Sequence, residues 1–547
     1  MKGQRVIFLL AVLAQVAGAV RYLAVSHDNW YQNPGLESLL AWHHKRGIET
    51  RLIHKSNWIA SEIRDSIIAE YNRHSPPVLR WVLLVGEYDE IPMQTLGGVG
   101  MSDFWYADLT DPIDNFPEVG VARLSPETQD DLSNQTAKVL HYIKDPPRET
   151  SWLDRFLLLA DSASSGGQLM RSIYRMLLPW FRPDFDTLMT QHISDDSLRA
   201  RLDLGAGVLG YVGHGDFDQW YTNQGWSWDI ADIGTLANGG RTPVVFSFTS
   251  LCGGISQPTC LAEAWLRKSP GGAVACYAAT QTVYTYPNHA ICSTAVRCLG
   301  DTWTIHVPGV RDYQNPVFDL GGIMQNCAAY VAWYWPGSPY PDDIYMYLML
   351  GDPAMEVWSG GQPVAPAVVY PPTVPLGEID LPVSVRVDGR AVKDALVCAW
   401  KEPEFYVAGL TDDSGSALLS INAQTQGEFW VTVSSGHATG VPHTPILPFE
   451  GTCTAMNSGI GPARDAAAFA LRVFGISASP AVRLDYSGPV PARLEVSDVA
   501  GRCAESWSLP AGHGSILWDA SHAPPGVYFC RLESEGRNVT RKLVLSQ

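Results

Sequence analysis

The chain has 547 residues, of which 46% are hydrophobic and 17% are charged, and its formal net charge is −18. A single core stops growing well below this length, so we expect several packing units. The negative charge and the absence of a basic cluster argue against nucleic acid as a partner, because affinity for a phosphate backbone depends on Lys and Arg.

The first twenty residues have the layout of a secretory signal peptide. Lys2 and Arg5 precede an apolar run over residues 6–14, and Ala17-Gly18-Ala19 offers a cleavage site after Ala19. The alternatives are a first buried strand or a membrane anchor, but the run is far shorter than the ~20 residues that span a bilayer. We expect residues 1–19 to be removed on export and no transmembrane segment to remain.

From Arg21 to about Gly360, short apolar runs alternate with segments of helical period. This alternation predicts βα units and a mainly parallel sheet flanked by helices. Leu36, Leu39, Leu40 and His43 repeat at helical spacing, as do Ile59, Ile63 and Ile67, and LAEAWLRK predicts a helix over Leu261–Lys268. The predicted strands are Tyr22–Val25, Trp81–Val85, Phe156–Ala160, Val208–Val212, Val244–Phe248 and Ala273–Ala278.

After Trp358 the sequence SGGQPVAPAVVYPPTVPLG is rich in Pro and Gly and is typical of a linker. Beyond it, apolar and polar residues alternate with closely spaced turn residues, which predicts small β-sandwiches. We therefore predict an N-terminal α/β subdomain, a second α/β subdomain and two all-β domains, at residues 20–150, 151–360, 361–450 and 463–547.

The ten cysteines are scattered and none forms a CxxC pair, so neither a disulfide scaffold nor a zinc site is expected. Cys503 and Cys530 are candidates for one disulfide in the last domain. Cys276, Cys292 and Cys298 lie in apolar surroundings and are predicted to be small buried hydrophobes.

Two strand ends carry residues that suggest chemistry. The strand over Val208–Val212 continues into GHGDF, which contains His214, and the strand over Val244–Phe248 continues into TSLCGG, which contains Cys252. A thiolate attacks carbonyl carbon, and a nearby imidazole can accept the thiol proton and later protonate the leaving amine. Neighbouring strand ends are ~5 Å apart, so we predict that His214 and Cys252 meet at one edge of the sheet.

The flanking glycines fit the same hypothesis. Gly213 and Gly215 leave room for a substrate backbone, and the N–H groups of Gly215 and Cys252 are candidates for an oxyanion hole. Taken singly, His214 is better explained as a loop residue and Cys252 as a packing residue, and it is their occurrence as a pair that favours catalysis.

Four motifs in order resemble the gingipain family of cysteine peptidases, which is grouped with caspases and legumains. They are GYVGHGDFDQW, VVFSFTSLCGG, LAEAWLRKSPGGAVACYAAT and YLMLGDPAMEVW, and the resemblance extends from about Arg21 to Trp358. It implies a caspase-like α/β catalytic unit followed by immunoglobulin-like sandwiches. It also implies His214 as general acid and base, Cys252 as nucleophile, and peptide-bond cleavage through an acyl-enzyme without a catalytic cofactor.

The resemblance also implies structural calcium. Asp103, Asp108, Asp111, Asp114 and Glu118 form an oxygen-rich segment that suits a hard cation, and a solvated acidic loop is the alternative.

Specificity for a basic residue is not apparent, because the family's pocket carboxylate lies in an insertion that is short here. Asp161 could orient His214, line the pocket or cap the helix beginning near Gly167. Tyr284 and Tyr286 fall near the place where the family has an aromatic pocket wall.

The last ~80 residues resemble the C-terminal sorting domain of proteins that the type IX system of Bacteroidetes-like bacteria exports across the outer membrane. The segments concerned are LEVSDVAGR, SILWDASHAPPGVYFCRLESEG and TRKLVLSQ. We expect a secreted or cell-surface peptidase that acts on proteins or peptides and uses that machinery. Two alternatives remain: a binding or adhesion protein on an inactive peptidase fold, and a transpeptidase.

Overall fold

The structure is a computed structural model. It describes residues 20–545 with gaps at 98–99, 111–113, 148–149, 154, 161–164, 178–185, 190–193, 301, 309–310, 338, 359–362, 436–445, 458–469, 476–480, 489–490, 510–511, 521 and 535–536. The predicted signal peptide, Asp111 and Asp161 therefore lie outside the described residues.

Helices and strands alternate in the first part of the chain. Its elements are β1 (Val20–His27), α1 (Pro34–Lys45), β2 (Ile48–Lys55), α2 (Ala60–Tyr71), β3 (Leu79–Val85), β4 (Gln94–Leu96), β5 (Gly100–Ser102), a 3₁₀ helix (Phe104–Tyr106), β6 (Gly120–Leu124) and α3 (Gln129–Lys144).

The second part continues this alternation up to residue 350. Its elements are a 3₁₀ helix (Thr150–Trp152), β7 (Phe156–Ala160), α4 (Ser165–Leu177), β8 (Asp186–Met189), α5 (Asp195–Asp203), β9 (Val208–Val212), β10 (His214–Asp216), β11 (Gln219–Tyr221), β12 (Ser227–Asp229), α6 (Ile230–Gly234), β13 (Val244–Phe248), α7 (Leu261–Arg267), β14 (Ala275–Ala279), α8 (Thr285–Arg297), β15 (Thr304–Val307), β16 (Arg311–Gln314), α9 (Leu320–Tyr334), α10 (Tyr340–Met346) and β17 (Tyr347–Leu350).

Ten strands form one sheet in the order β2-β1-β3-β6-β17-β14-β13-β9-β7-β8. Every neighbouring pair runs parallel except β14 and β17, which are antiparallel. The sheet therefore consists of two five-stranded parallel halves that run in opposite directions, and the carboxyl ends of the second half share one edge. This confirms the predicted mainly parallel sheet.

The predicted strands are confirmed with small shifts. β7, β9 and β13 have the predicted limits, β1 and β3 are longer, and β14 is displaced by one or two residues towards the carboxyl end. Each of β7, β9 and β13 is buried along its whole length, which agrees with unbroken apolar runs such as FLLLA and with a sheet that is covered on both faces. The other four strands of this sheet, β2, β6, β8 and β17, were not predicted.

Two hydrophobic clusters cover the faces of the half of the sheet that contains β14, β13, β9, β7 and β8. Val212, Phe246 and Phe248 belong to a cluster that includes the buried face of α8. Tyr211 and Val245 belong to the other, which includes Trp220, Cys252 and Trp265. Side chains alternate between the faces along each strand, so this assignment fixes the direction in which each residue at a strand end points.

Two sheets with a shared core follow the α/β part. The strands are β18 (Ala367–Val369), β19 (Thr373–Pro375), β20 (Gly377–Val387), β21 (Arg390–Ala391), β22 (Leu396–Lys401), β23 (Phe405–Leu410), β24 (Ser416–Ala423), β25 (Gly427–Ser434) and β26 (Phe449–Met456). One sheet contains β18, β20, β21 and β24, and the other has the order β19-β26-β25-β22-β23. Their inward residues form one apolar cluster, so a β-sandwich lies where it was predicted.

The last compact unit covers residues 457–547. Its strands are β27 (Ala470–Gly475), β28 (Ala481–Gly488), β29 (Ala492–Asp498), β30 (Cys503–Leu509), β31 (Gly512–Asp519), β32 (Gly526–Ser534) and β33 (Arg537–Leu545). They form sheets β27-β28-β31 and β30-β29-β32-β33 around one core. An immunoglobulin-like relationship of either sandwich remains a prediction.

The predicted disulfide is wrong. Cys503 and Cys530 are both free, with Cys503 exposed and Cys530 buried, so their side chains do not share one environment. Cys276, Cys292 and Cys298 are fully buried, as predicted. Among the described helices, none is both long and apolar enough to cross a membrane.

Candidate active site

The strands that carry His214 and Cys252 are neighbours in the sheet, as predicted. β9 and β13 pair in parallel without a shift, from Val208 opposite Val244 to Val212 opposite Phe248. Both strands therefore end at the same level, and their following loops form one rim of the sheet. This rim is the candidate active site.

His214 begins a small antiparallel hairpin of β10 and β11, in which it pairs with Tyr221. The imidazole is exposed and stacks on the Tyr221 ring, with centroids 5.5 Å apart and planes 20° from parallel. The Asn223 amide nitrogen lies 3.2 Å from Nε2 of His214. An amide NH₂ group donates, so Nε2 is the acceptor in this contact.

Two glycines allow the hairpin to approach the sheet. A Cβ atom on Gly213 would lie 2.2 Å from the Tyr211 hydroxyl, which donates hydrogen bonds to the carbonyls of His214 and Tyr221. A Cβ atom on Gly215 would lie 2.7 Å from Thr249 and 2.8 Å from Sγ of Cys252. The glycines thus serve the packing of the hairpin, which in turn fixes the position of His214.

Cys252 lies beneath the same hairpin, and its side chain is 0% exposed. Its Sγ donates to the carbonyls of Asp216 at 3.3 Å and Gln219 at 3.7 Å. Burial, with a smaller contribution from the nearby Asp216 and Asp218 carboxylates, raises the pKa of the Cys252 thiol to about 12. The thiol is therefore neutral near pH 7, whereas a nucleophilic cysteine needs the thiolate.

The expectation that the two side chains meet at the rim needs correction. The Cβ direction of Gly215 points to Cys252, and successive residues of a strand point to opposite faces, so the His214 ring lies on the other face of β10 from the sulfur. In this conformation, Cys252 packs and anchors, and His214 alone is presented to solvent.

The proposed oxyanion donors are also engaged or covered. The Cys252 N–H donates to the carbonyl of Ser250 at 2.8 Å, and Gly215 is a buried residue of the β10–β11 pair. The Cys252 carbonyl accepts from the N–H of Ala262, so the loop is bonded to the start of α7.

Ser250 and the loop after β14 also lie at the rim, and of these the sequence analysis identified only Tyr284 and Tyr286 of the loop. The Ser250 side chain is partly exposed, and its Oγ accepts a hydrogen bond from the Val283 N–H at 3.3 Å. Leu251, the next residue, has φ +69°, in the left-handed region that non-glycine residues seldom adopt, and its N–H donates to the Gln281 carbonyl. This turn redirects the chain, which places Cys252 away from the rim.

The two candidate pocket tyrosines lie on the same loop. Tyr284 is 54% and Tyr286 is 75% exposed, at the start of α8. The Tyr284 N–H donates to both carboxylate oxygens of Asp343, at 3.2 and 3.0 Å, and burial raises the pKa of Asp343 to about 7. Their position beside Ser250 keeps both tyrosines as candidates for a substrate-contacting wall.

Most carboxylates of the oxygen-rich segment already accept hydrogen bonds from other groups of the protein. Both oxygens of Asp103 accept from the buried Arg123 guanidinium, so Asp103 is a salt-bridge residue and its assignment as a metal ligand is corrected. Asp108 accepts from Thr110 and from the Asn115 N–H, and Asp114 accepts from the Phe116 N–H.

Burial raises the pKa of Asp108 to about 6 and that of Glu118 to about 7, and the neighbouring carboxylates add to both shifts. Within the described residues, which do not include Asp111, no three His, Cys, Asp or Glu side chains are arranged to hold a metal ion. Calcium at this segment stays a prediction.

Two family models match the chain. Peptidase family C25 matches residues 16–358, and a secretion system C-terminal sorting domain matches residues 478–546. The sorting domain, together with the relatives described below, shows a secreted or cell-surface protein.

Gingipains R2 and R1 of Porphyromonas gingivalis are similar to the chain. Gingipain R2 is 26% identical over 550 residues, which cover 93% of this chain and 66% of that protein. Gingipain R1 is 24% identical over 537 residues, which cover 89% of this chain and 50% of that protein. The chain thus spans between half and just under two thirds of the length of these curated relatives.

Solved structures show the same fold. The crystal structure of the Arg-specific cysteine proteinase gingipain R has a TM-score of 0.68 at 20% identity and covers 80% of this chain and 98% of that chain. Another protease structure has a TM-score of 0.66 at 17% identity, with the same coverage. Because the C25 model matches more than half of the residues, and in the part that forms the ten-stranded sheet, this chain belongs to peptidase family C25.

Proposed function

We propose that the protein is a secreted or surface-bound endopeptidase that cleaves protein substrates at the rim formed by the ends of β9 and β13. The observation that carries the proposal is the exposed imidazole of His214, which a tight hairpin holds beside the end of β13. A neutral imidazole at such a position can accept a proton from a nucleophile and return it to a leaving amine. Membership of family C25 supports peptide bonds as the substrate class.

In the form that the sequence predicts, Cys252 is the nucleophile. Its Sγ would bond to the scissile carbonyl carbon as His214 takes the thiol proton, the C–N bond would break as that proton passes to the amine, and water would hydrolyse the thioester. This form requires the β10–β11 hairpin to lift, because Sγ now donates to the carbonyls of Asp216 and Gln219 beneath it.

The buried sulfur favours a second candidate function. A chain of this fold without an accessible thiol would be a surface binding or adhesion protein, with the exposed rim and the β-sandwiches as its binding surfaces. The Cys252 thiol is fully buried and its pKa is raised to about 12, which supports the binding or adhesion function.

One experiment separates the two functions. The reduced full chain is incubated with a mixed peptide library and calcium, and products are identified by mass spectrometry. A peptidase produces new termini at a consistent residue preference, and His214→Ala removes them. If no peptide is cut under these conditions, the peptidase proposal fails and the binding function takes its place.

We propose export by the type IX machinery as the route to the cell surface. The support is the match of residues 478–546 to a secretion system C-terminal sorting domain.

A further inference from the structure

The end of α9 carries an exposed group of aromatic side chains. Nearly every residue of α9 up to Ala332 is buried. The three residues that follow are all exposed: Trp333, Tyr334 and Trp335. Single exposed apolar side chains are common on protein surfaces, whereas a contiguous exposed patch usually marks a binding surface. Trp and Tyr are also among the residue types that most often anchor a binding partner.

Neighbouring rings hold these side chains in place. Tyr330 lies against Tyr334 and Trp335, with ring centroids 4.5 and 6.0 Å away. Trp335 stacks on Tyr340, the first residue of α10, with centroids 5.6 Å apart and planes 13° from parallel. Arg297 donates to the Tyr330 hydroxyl at 2.6 Å, and its guanidinium lies 5.0 Å from the centre of that ring. We call Tyr330, Tyr334, Trp335 and Tyr340 the aromatic track. Because its rings are already packed together, they lose little side-chain freedom when a ligand binds.

The aromatic track is continuous with the candidate active site. Tyr340 lies one helical turn before Asp343, and both carboxylate oxygens of Asp343 accept from the Tyr284 N–H. Tyr284 directly follows Val283, whose N–H donates to Ser250 at the rim. These contacts connect the rim to the aromatic track through the start of α8 and through α10.

The chemistry of the aromatic track favours an extended polypeptide as its occupant. Ring faces pack against apolar side chains, and the Tyr hydroxyl and Trp N–H groups can donate hydrogen bonds to carbonyl groups. Ring faces also attract the cations of Lys and Arg, and a chain with a net charge of −18 does not repel such segments. A polypeptide is the substrate class of the proposed function, and it can occupy the rim and the aromatic track together.

We propose that the aromatic track is an exosite, a surface outside the active site that binds the segment of a protein substrate extending beyond the rim. This inference rests on the proposed function for the identity of the substrate. An extended chain advances ~3.3 Å per residue, so a substrate reaches Trp335 only if it continues for several residues past the rim. The protein should therefore prefer long unfolded chains to short peptides with the same cleavage site.

The test compares two substrates that share one cleavage site. The long substrate is dephosphorylated β-casein, an unfolded chain, and the short one is a peptide of about six residues, or ~20 Å, around the site at which casein is cut best. We expect Trp335→Ala in the full chain to reduce kcat/KM for casein at least tenfold, mainly through KM, and that for the peptide less than twofold. Trp335→Phe keeps an aromatic ring and should retain at least half of the wild-type value for casein.

Trp430→Ala is the matched control, because Trp430 lies in the β-sandwich and is 39% exposed, against 37% for Trp335. It should change neither substrate. Circular dichroism monitors the fold, and Tyr334→Ala, at a more exposed position, provides a second variant. The inference is overturned if Trp335→Ala reduces both substrates equally or neither. It is also overturned if the wild type sediments as a dimer that Trp335→Ala converts to a monomer, because a second copy would then occupy the aromatic track.

Binding without turnover distinguishes failure of this inference from failure of the proposed function. Fluorescently labelled, dephosphorylated β-casein is titrated with the His214→Ala protein, and the Kd is measured by anisotropy. We expect addition of Trp335→Ala to raise the Kd at least fivefold. If the wild type cleaves nothing but this increase is observed, the peptidase proposal fails while the aromatic track is supported as a polypeptide-binding surface. If the wild type cleaves casein and the Kd is unchanged, the exosite is overturned and the proposed function stands.

Discussion

The ends of β9 and β13 differ in how they present the residues that suggest chemistry. Beyond β9, the chain turns into a hairpin whose first side chain, His214, is exposed. Beyond β13, Ser250 remains at the rim, and the turn at Leu251 then takes Cys252 beneath that hairpin. The comparison teaches that proximity to a strand end does not make a side chain accessible. Whether a side chain is accessible depends on how many residues separate it from the last paired residue of its strand. It also depends on the face of the sheet to which the side chain points.

The largest effect is expected for His214→Ala. Loss of a general acid–base typically reduces the rate 10²–10⁴-fold, and we expect at least a 100-fold decrease in kcat/KM for the best library peptide. Because the ring is exposed and contacts only Tyr221 and Asn223 among the ring and hydrogen-bond contacts described, the melting temperature should change little.

His306→Ala is the matched control for that substitution, because His306 is an exposed histidine in the separate β15–β16 sheet. It should retain full activity. Equal losses in both variants would remove His214 from the proposed chemistry.

Gly215→Ala tests the close approach of the hairpin. The new methyl group would lie within 3 Å of Thr249 and of the Cys252 sulfur, so the hairpin must shift. Overpacking of this kind costs about 1–3 kcal/mol of the free energy of unfolding, measurable by denaturant titration. Gly234→Ala is the control, since no atom lies within 4 Å of its Cβ position, and a similar loss there would show that the site of the glycine is irrelevant.

Cys252→Ala should reduce the free energy of unfolding less than Gly215→Ala does. It removes a buried sulfur and its bonds to two carbonyls, and we expect a decrease of about 1 kcal/mol in the free energy of unfolding. Cys503→Ala, at an exposed position, should stay within about 0.5 kcal/mol of the wild type. A neutral result at Cys252 would contradict its role as an anchor.

The sequence was sufficient for much of the sheet. Unbroken apolar runs identified β7, β9 and β13 with their observed limits, because fully buried strands need side chains that are apolar on both faces. β17 was missed although YLML is equally apolar. It directly follows α10, so no turn signal separates it from the helix.

The candidate site was only partly predictable. The adjacency of β9 and β13 and the exposed position of His214 agree with the sequence analysis. The turn at Leu251 could not be predicted, because a positive φ at a leucine has no sequence signal.

The acidic segment shows a different limit of sequence reasoning. Asp103 has its partner in Arg123, twenty residues away in the next large strand, and the composition of the loop gives no indication of that salt bridge. The calcium prediction was based on the number of carboxylates in the segment, and the sequence does not show which of them form salt bridges with other residues.

The most direct test of the account is native alkylation of the wild-type protein, read separately at Cys252 and at Cys503. Because burial raises the pKa of Cys252 to about 12, its thiolate is scarce at pH 8 and increases only as the pH rises towards that value. We predict that iodoacetamide labels Cys503 completely at pH 8 while Cys252 stays unlabelled until the protein is unfolded. Labelling of Cys252 in the folded protein at a rate equal to or above that of Cys503 would contradict the account, because it would show an accessible and reactive sulfur at the rim.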